Sequence, residues 1–112
     1  MPINRMLAKQ QVATYAECLL AAAQESGRAF EDIEDLKSAR RAVTRSSQMR
    51  EFLQDPNISA ENKSALVKDV FSGLAPEVVS VVAVMAERCE IGLLGRVATA
   101  YEEAAEKALD MV

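Results

Sequence analysis

The pattern of apolar positions is most unusual in residues 78–86, VVSVVAVMA, where Ser80 is the only polar side chain. A valine-rich run of this length is typical of a buried strand as well as of a buried helix, and periodicity alone does not separate the two. Pro76 and Glu77 suit the first turn of a helix, and the sequence continues past Ala86 without a turn signal, so a helix is favoured. A helix that is apolar on every side must be covered on every side. Either it lies at the centre of a bundle, or one of its faces binds a partner.

A second unusual pattern covers residues 5–25, where apolar side chains form two adjacent stripes at helical spacing. One stripe contains Ala13, Ala16, Leu20 and Ala23, and the other contains Ala8, Val12, Tyr15, Leu19 and Ala22. Polar residues fall largely on the other side of the helix. The pattern therefore predicts an amphipathic helix with a wide apolar face, ended by Ser26-Gly27.

Periodicity and capping signals predict the remaining helices. One covers about residues 29–45, with acidic residues in its first turns and arginines at its end, as the helix dipole favours. Ser46-Ser47 and Ser59 are typical caps of a third and a fourth helix. The predicted buried positions are Met49, Phe52 and Leu53 in the third helix, Leu66, Val67, Val70 and Phe71 in the fourth, and Leu94, Val97, Tyr101, Ala104 or Ala105 and Ala108 in the last. Six helices with short connections predict an all-α fold, an antiparallel six-helix bundle that forms a single domain over residues 1–112.

The composition argues against several classes of function. The chain has 112 residues and a net charge of −4, which argues against nucleic acid as the main partner. It contains no His, no glycine-rich phosphate loop and no nucleophile motif, so we predict neither enzyme activity nor a cofactor. The carboxylates at the helix starts are interpreted as a solvated acidic surface. Because no apolar run approaches the length of a membrane span, direct membrane insertion is not expected.

Two groups of residues could still carry chemistry. The first is a basic cluster that consists of Arg40, Arg41, Arg45 and Arg50. This cluster could contact a phosphate or an acidic partner, but compensation of the helix dipole and solvation are the favoured interpretation. The second is the pair of cysteines, Cys18 and Cys89, which are predicted to be small buried residues in a reduced compartment rather than redox groups or zinc ligands.

The apolar excess on the first and fifth helices leaves two interpretations open. Both helices are central to the bundle, or they lie side by side and leave an apolar groove for an amphipathic helix of another protein. The pattern alone favours neither. Tyr15 leans towards the groove, because at a groove rim its ring is buried while its hydroxyl stays in water.

Several short motifs stand in a definite order along residues 8–105. They are Tyr15-Ala16 with Leu19-Leu20, Phe52-Leu53-Gln54-Asp55-Pro56, Ile58-Ser59 followed by Lys63, Val84-Met85-Ala86-Glu87, Leu93-Leu94, Val97-Ala98 and Tyr101. In this order and spacing they resemble the delta subunit of F-type ATP synthases, whose mitochondrial counterpart is the oligomycin-sensitivity-conferring protein.

The resemblance implies an N-terminal domain of six helices without catalytic residues. In that family the domain sits on the catalytic head as part of the peripheral stalk, and it binds N-terminal helices of alpha subunits in a groove between its first and fifth helices. The resemblance also implies a peripheral location on the cytoplasmic side of an energy-transducing membrane and an isolated domain that is monomeric. The groove positions carried over are Tyr15, Cys18 and Val84, to which helical spacing adds Leu19, Ala22, Val81 and Arg88. The alternative is a stand-alone helical interaction module or a small helical nucleic-acid-binding domain.

The chain departs from the family pattern in two places. Glu90 stands where the family usually has an Arg, which reverses a charge near the end of the groove. The family also has a second, C-terminal domain that contacts the b subunit, and this chain stops at Val112, where that domain would begin. We therefore expect the C-terminal domain and its contact with the b subunit to be absent from this chain.

Overall fold

Helices make up most of the computed structural model, which describes residues 5–110. They are α1 (Arg5–Ser26), α2 (Glu31–Arg45), α3 (Ser47–Gln54), α4 (Ala60–Val70), α5 (Pro76–Glu87), a short 3-10 helix (Ile91–Leu93) and α6 (Leu94–Asp110). The predicted all-α fold is confirmed, and residues 78–86 lie within a helix rather than a strand. The two ends of the predicted domain, residues 1–4 and 111–112, lie outside the described residues.

The predicted capping residues begin and end these helices. The hydroxyl of Ser46 accepts a hydrogen bond from the backbone N of Met49, and that of Ser59 accepts one from Asn62, each at 3.1 Å. These bonds satisfy backbone donors that have no partner within the helix. Gly27 ends α1 with a positive φ of 74°, and the backbone N of Arg28 donates to the carbonyl of Ala23 at 2.8 Å. Local sequence signals therefore determine where the helices start and stop.

Two helix pairs form most of the bundle, α1 with α6 and α4 with α5, and α2 packs against α6. The core between them is built mainly from Ala, Val and Leu. Tyr101 of α6 is fully buried at its centre, and its hydroxyl donates to the carbonyl of Ala29 at 2.6 Å. In the described part of the chain, none of the helices could span a bilayer.

The buried face of α4 differs from the predicted one. Val67 and Phe71 are buried as predicted, but Val70 is 47% exposed. Lys63 and Ser64 are buried in its place, and Lys63 is only 1% exposed. The positions that face the core are spaced by four residues from Lys63 through Val67 to Phe71, so Val70 falls on the outer side of the helix. The aliphatic stem of a lysine can occupy such a position, which a rule based on residue type alone assigns to solvent.

Candidate partner-binding groove

The first and fifth helices lie side by side and run antiparallel, and a hydrogen bond marks each end of their shared seam. At one end the hydroxyl of Tyr15 donates to Oε1 of Glu90, which closely follows α5. At the other end the hydroxyl of Ser26 donates to Oε1 of Glu77 at 3.0 Å. Between these two bonds, the antiparallel register places the middle of α1 beside the middle of α5.

The burial pattern divides the predicted groove residues into a floor and an open strip. Leu19 has no exposed surface and Tyr15 is 7% exposed, so both belong to the floor. The open strip consists of Cys18, Ala22, Val81 and Val84, of which Ala22 and Val81 are half-buried and Cys18 and Val84 are exposed. Arg88 is exposed at the end of the strip. A partner could therefore touch the strip directly, whereas Leu19 could only support it from below.

The apolar run in α5 is likewise divided between a buried side and an exposed side. Val78, Val82, Ala83, Met85 and Ala86 are buried in the core. Ser80, the only polar residue of the run, lies on the exposed face together with Val84, which is 40% exposed. One face of the helix thus completes the core, and the valine on the other face is left uncovered.

Tyr15 does not behave as the pattern suggested. Its hydroxyl is bonded to Glu90 instead of lying in water at a rim, so the expectation of a solvated hydroxyl is wrong. Burial, followed by the hydrogen bond to Glu90, raises the pKa of Tyr15 to about 12. Nε of Arg88 lies 3.4 Å from the same carboxylate oxygen. The negative charge of Glu90 is therefore compensated within the chain, and Tyr15 ties α1 to the turn after α5.

A small cavity of about 300 Å³ extends the seam beyond Tyr15 and Arg88. Its other lining residues are Leu7, Gln10, Gln11 and Thr14 of α1. The sequence pattern assigned the glutamines and the threonine to the solvent side of the helix. These residues line the cavity because the turn after α5 crosses α1 beside them, and residue spacing within α1 does not reveal where that crossing lies.

Two carboxyl groups face each other at the opposite end of the seam. Asp32 of α2 is completely buried, which corrects the interpretation of the helix-start carboxylates as a uniformly solvated surface. Nε of Arg28 lies 3.4 Å from Oδ1 of Asp32. Burial, followed by the interaction with Glu77, raises the pKa of Asp32 to about 7, and the interaction with Asp32 lowers the pKa of Glu77. Asp32 therefore changes its protonation state near neutral pH.

The two remaining groups that could carry chemistry, the basic cluster and the cysteines, also have clear positions. Nη1 of Arg50 donates to the carbonyl of Val43 at 2.9 Å and to that of Thr44, so it satisfies the end of α2 as favoured from the sequence. Both Cys18 and Cys89 are exposed and free, and their predicted burial is wrong. Within the described residues, no cluster of three or more His, Cys, Asp or Glu side chains is arranged to hold a metal ion.

Comparison with known proteins gives one consistent family. The family model described as ATP synthase delta (OSCP) subunit matches residues 12–112. Proteins named ATP synthase subunit delta are similar to this chain in Lysinibacillus sphaericus (32% identity, covering 84% of this chain and 53% of the relative), Nostoc sp. (29%, covering 78% and 48%) and Synechococcus elongatus (29%, covering 88% and 55%). The chain thus spans about half the length of the curated relatives it matches.

Proposed function

The chain belongs to the ATP synthase delta (OSCP) subunit family, and on that premise we propose that it is a non-catalytic component of the peripheral stalk of an F-type ATP synthase. In this role it holds the catalytic head against rotation. It acts by binding other subunits and does not catalyse a reaction. The location would be peripheral, on the cytoplasmic side of the energy-transducing membrane.

The binding surface we propose is the seam between α1 and α5, and its ligand is the N-terminal helix of an alpha subunit. The observation that supports this assignment best is Val84, an apolar side chain that is 40% exposed on a helix whose other apolar residues are mostly in the core. Cys18 and Ala22 are small, and they flank this position on α1. Small residues on one side of a seam let the backbone of a third helix come close. An amphipathic helix could lay its apolar face on this strip.

The energetics of such a complex depend on a few anchors. A stable interface buries roughly 1,000 Å² or more in total. The open strip covers only part of that area, so the guest helix must also contact the flanks of α1 and α5. Binding energy usually concentrates in a small number of central residues. We assign Val84 as the central anchor and Arg88 as a charge at the end, where it could pair with an acidic group of the guest helix.

The described helices would form the domain that binds the head. In the full-length family pattern, the contact with the b subunit belongs to a second, C-terminal domain. Residues 1–112 would then act as one helical domain that is monomeric in isolation, and the relatives, about twice as long as the matched region, would carry both functions.

Titration calorimetry with a synthetic peptide of the alpha-subunit N-terminus tests this proposal. Val84→Asp places a charge in the centre of the strip, and we expect at least a tenfold loss of affinity, since burying an unpaired carboxylate costs more than about 1.4 kcal/mol. Val70→Asp is the matched control, because Val70 is similarly exposed but belongs to α4, which is not one of the two helices of the seam. Circular dichroism checks that both variants fold.

Two outcomes would contradict the groove assignment. The peptide could bind Val84→Asp as tightly as the parent chain, or Val70→Asp could weaken binding by the same factor. In either case the strip between α1 and α5 would not be the contact surface.

A further inference from the structure

A buried lysine of α4 points its amino group at the sulfur of Cys89. Lys63 is 1% exposed, and its Nζ lies 3.1 Å from Sγ of Cys89. Within residues 6–109 this amino group makes no other hydrogen bond and has no carboxylate within 4 Å. A lysine amino group that is out of water and without an anionic partner is unusual, because a buried charge is normally paired. Among the described side chains, the sulfur of Cys89 is thus its one hydrogen-bond partner.

Cys89 is held in position by the turn that ends α5. The backbone N of Cys89 donates to Ala86 at 3.1 Å, and that of Glu90 donates to Met85 at 2.7 Å. Cys89 has a positive φ of 57° there. The sulfur therefore sits on a well-defined turn, opposite the amino group of Lys63, and does not depend on a mobile loop for its position.

A reagent from solution can reach this sulfur. Cys89 is an exposed residue and lines a cavity of about 390 Å³. The cavity is also lined by Gln11, Gln54 and Glu90. Lys63 is buried and is not among the residues that line the cavity. This arrangement suits a small polar oxidant that enters from solution while the amino group stays dry.

We propose that Lys63 and Cys89 form a peroxide-reactive pair that closes into a covalent nitrogen–sulfur link. In the first step, the thiolate sulfur attacks one oxygen of hydrogen peroxide, an S–O bond forms and the O–O bond breaks. The leaving oxygen takes a proton from the Lys63 ammonium and departs as water. This step leaves a sulfenic acid on Cys89 beside a neutral amine on Lys63, so that sulfur is oxidised and the peroxide is reduced.

The second step uses only groups that the first step has produced. The amine nitrogen of Lys63 attacks the sulfenic sulfur, an S–N bond forms and the S–O bond breaks. The hydroxyl leaves as water with one proton from the nitrogen. The product is a sulfenamide that ties α4 to the turn after α5, and the chain has lost two hydrogen atoms relative to its reduced form.

Cys18 provides an internal reference for this reaction. It is exposed like Cys89, but it makes no hydrogen bond or ion pair with a lysine in the described part of the chain. Simple exposure therefore predicts equal oxidation of the two cysteines. Proton donation by Lys63 predicts selective oxidation of Cys89.

The test is a time course of the full, reduced chain with hydrogen peroxide, followed by intact and peptide mass spectrometry. We expect Cys89 to react at least about tenfold faster than Cys18, since a positioned proton donor commonly contributes more than that. We also expect a mass loss of two hydrogen atoms, with the peptides of Lys63 and Cys89 joined, and reversal by excess thiol. Lys63→Met should slow the oxidation of Cys89 to the rate of Cys18 and abolish the nitrogen–sulfur link. Lys63→Arg, which keeps the buried positive charge, should retain fast oxidation but stop at oxygen adducts.

Lys68→Met is the matched control, because Lys68 is an exposed lysine of the same helix. It should leave both the rate and the link unchanged. The proposal is overturned if Cys18 and Cys89 react equally fast in the parent chain, if Lys63→Met leaves the rate at Cys89 unchanged, or if oxidised Cys89 carries only added oxygen. Circular dichroism on each variant excludes an effect of unfolding.

Discussion

The two ends of the seam between α1 and α5 are fastened by different chemistry. At the Glu90 end, the hydroxyl of Tyr15 donates to a carboxylate that also faces Arg88. At the Glu77 end, the hydroxyl of Ser26 donates to a carboxylate that also faces the buried carboxyl of Asp32. The first carboxylate has a cation, Arg88, beside it, whereas the second faces a carboxyl group that can itself become an anion and that has Arg28 3.4 Å away.

This difference separates the two ends in their response to pH. At the Glu90 end, the pKa of Tyr15 is raised to about 12, so the stability that it contributes is present below pH 10 and is lost only as the pH rises through 12. At the Glu77 end, the pKa of Asp32 is raised to about 7. The stabilising contribution of Tyr15 is therefore lost only at high pH, whereas that of Asp32 is lost near neutral pH.

Among the variants that test this comparison, Asp32→Asn should change the free energy of unfolding most. The pKa of Asp32 rises from about 4 in the unfolded chain to about 7 in the folded chain, so the folded state binds more protons between these values. Its contribution to stability is full below pH 4 and is lost as the pH rises through 7. Asn resembles the protonated carboxyl and does not ionise. We expect the stability of the variant relative to the parent to grow by about 3 kcal/mol between pH 4 and pH 8.

Urea unfolding at several pH values measures this difference. Glu31→Gln is the control, because Glu31 precedes Asp32 on the same turn and is exposed. Its stability relative to the parent should stay within about 0.5 kcal/mol across the range. A difference between Asp32→Asn and the parent that does not vary with pH would show that folding does not raise the pKa of Asp32, and the two ends would then not differ in their response near neutral pH.

Tyr15→Phe should have a smaller effect that is independent of pH. The ring stays buried and only the hydrogen bond to Glu90 is lost, which costs about 1.5 kcal/mol for a charged acceptor. The cost should be the same at pH 6 and pH 9, because the pKa of Tyr15 lies well above this range. Urea unfolding of Tyr15→Phe, Glu90→Gln and the double variant gives the coupling between the two side chains. Additive effects would mean that the hydroxyl and the carboxylate do not stabilise each other.

Sequence reasoning succeeded where the signal is local. Ser46 and Ser59 cap the helices that they were predicted to cap, and Pro76 begins α5. Each of these assignments depends on a few neighbouring residues and on backbone groups that must be satisfied wherever the helix packs. The helical state of residues 78–86 was correctly favoured for the same reason, because its start signals lie directly upstream.

Sequence reasoning failed where the burial of a side chain depends on residues far away in the chain. Lys63 and Asp32 are charged and were not expected inside, but their neighbours Cys89 and Glu77 come from other parts of the sequence. Tyr15 likewise finds its partner at Glu90, across the seam, which periodicity within α1 cannot indicate. The groove as a binding surface stays a prediction, since its residues are brought together by the fold but its partner is inferred from the family.

Gly27→Ala should give the smallest of these effects, and it sharpens the comparison at the level of the backbone. Each end of the seam has a residue with positive φ that terminates a helix, Gly27 after α1 and Cys89 after α5. A β-carbon added at Gly27 would meet no atom within 4 Å, so the cost is purely conformational, about 1 kcal/mol. Gly73→Ala is the matched control, since Gly73 is equally open and has no positive φ, and it should change the free energy of unfolding by less than about 0.5 kcal/mol. If both variants lose the same stability in urea, the left-handed backbone at residue 27 does not require glycine. The positive φ of Cys89, at the Glu90 end, would then carry no conformational cost relative to Gly27.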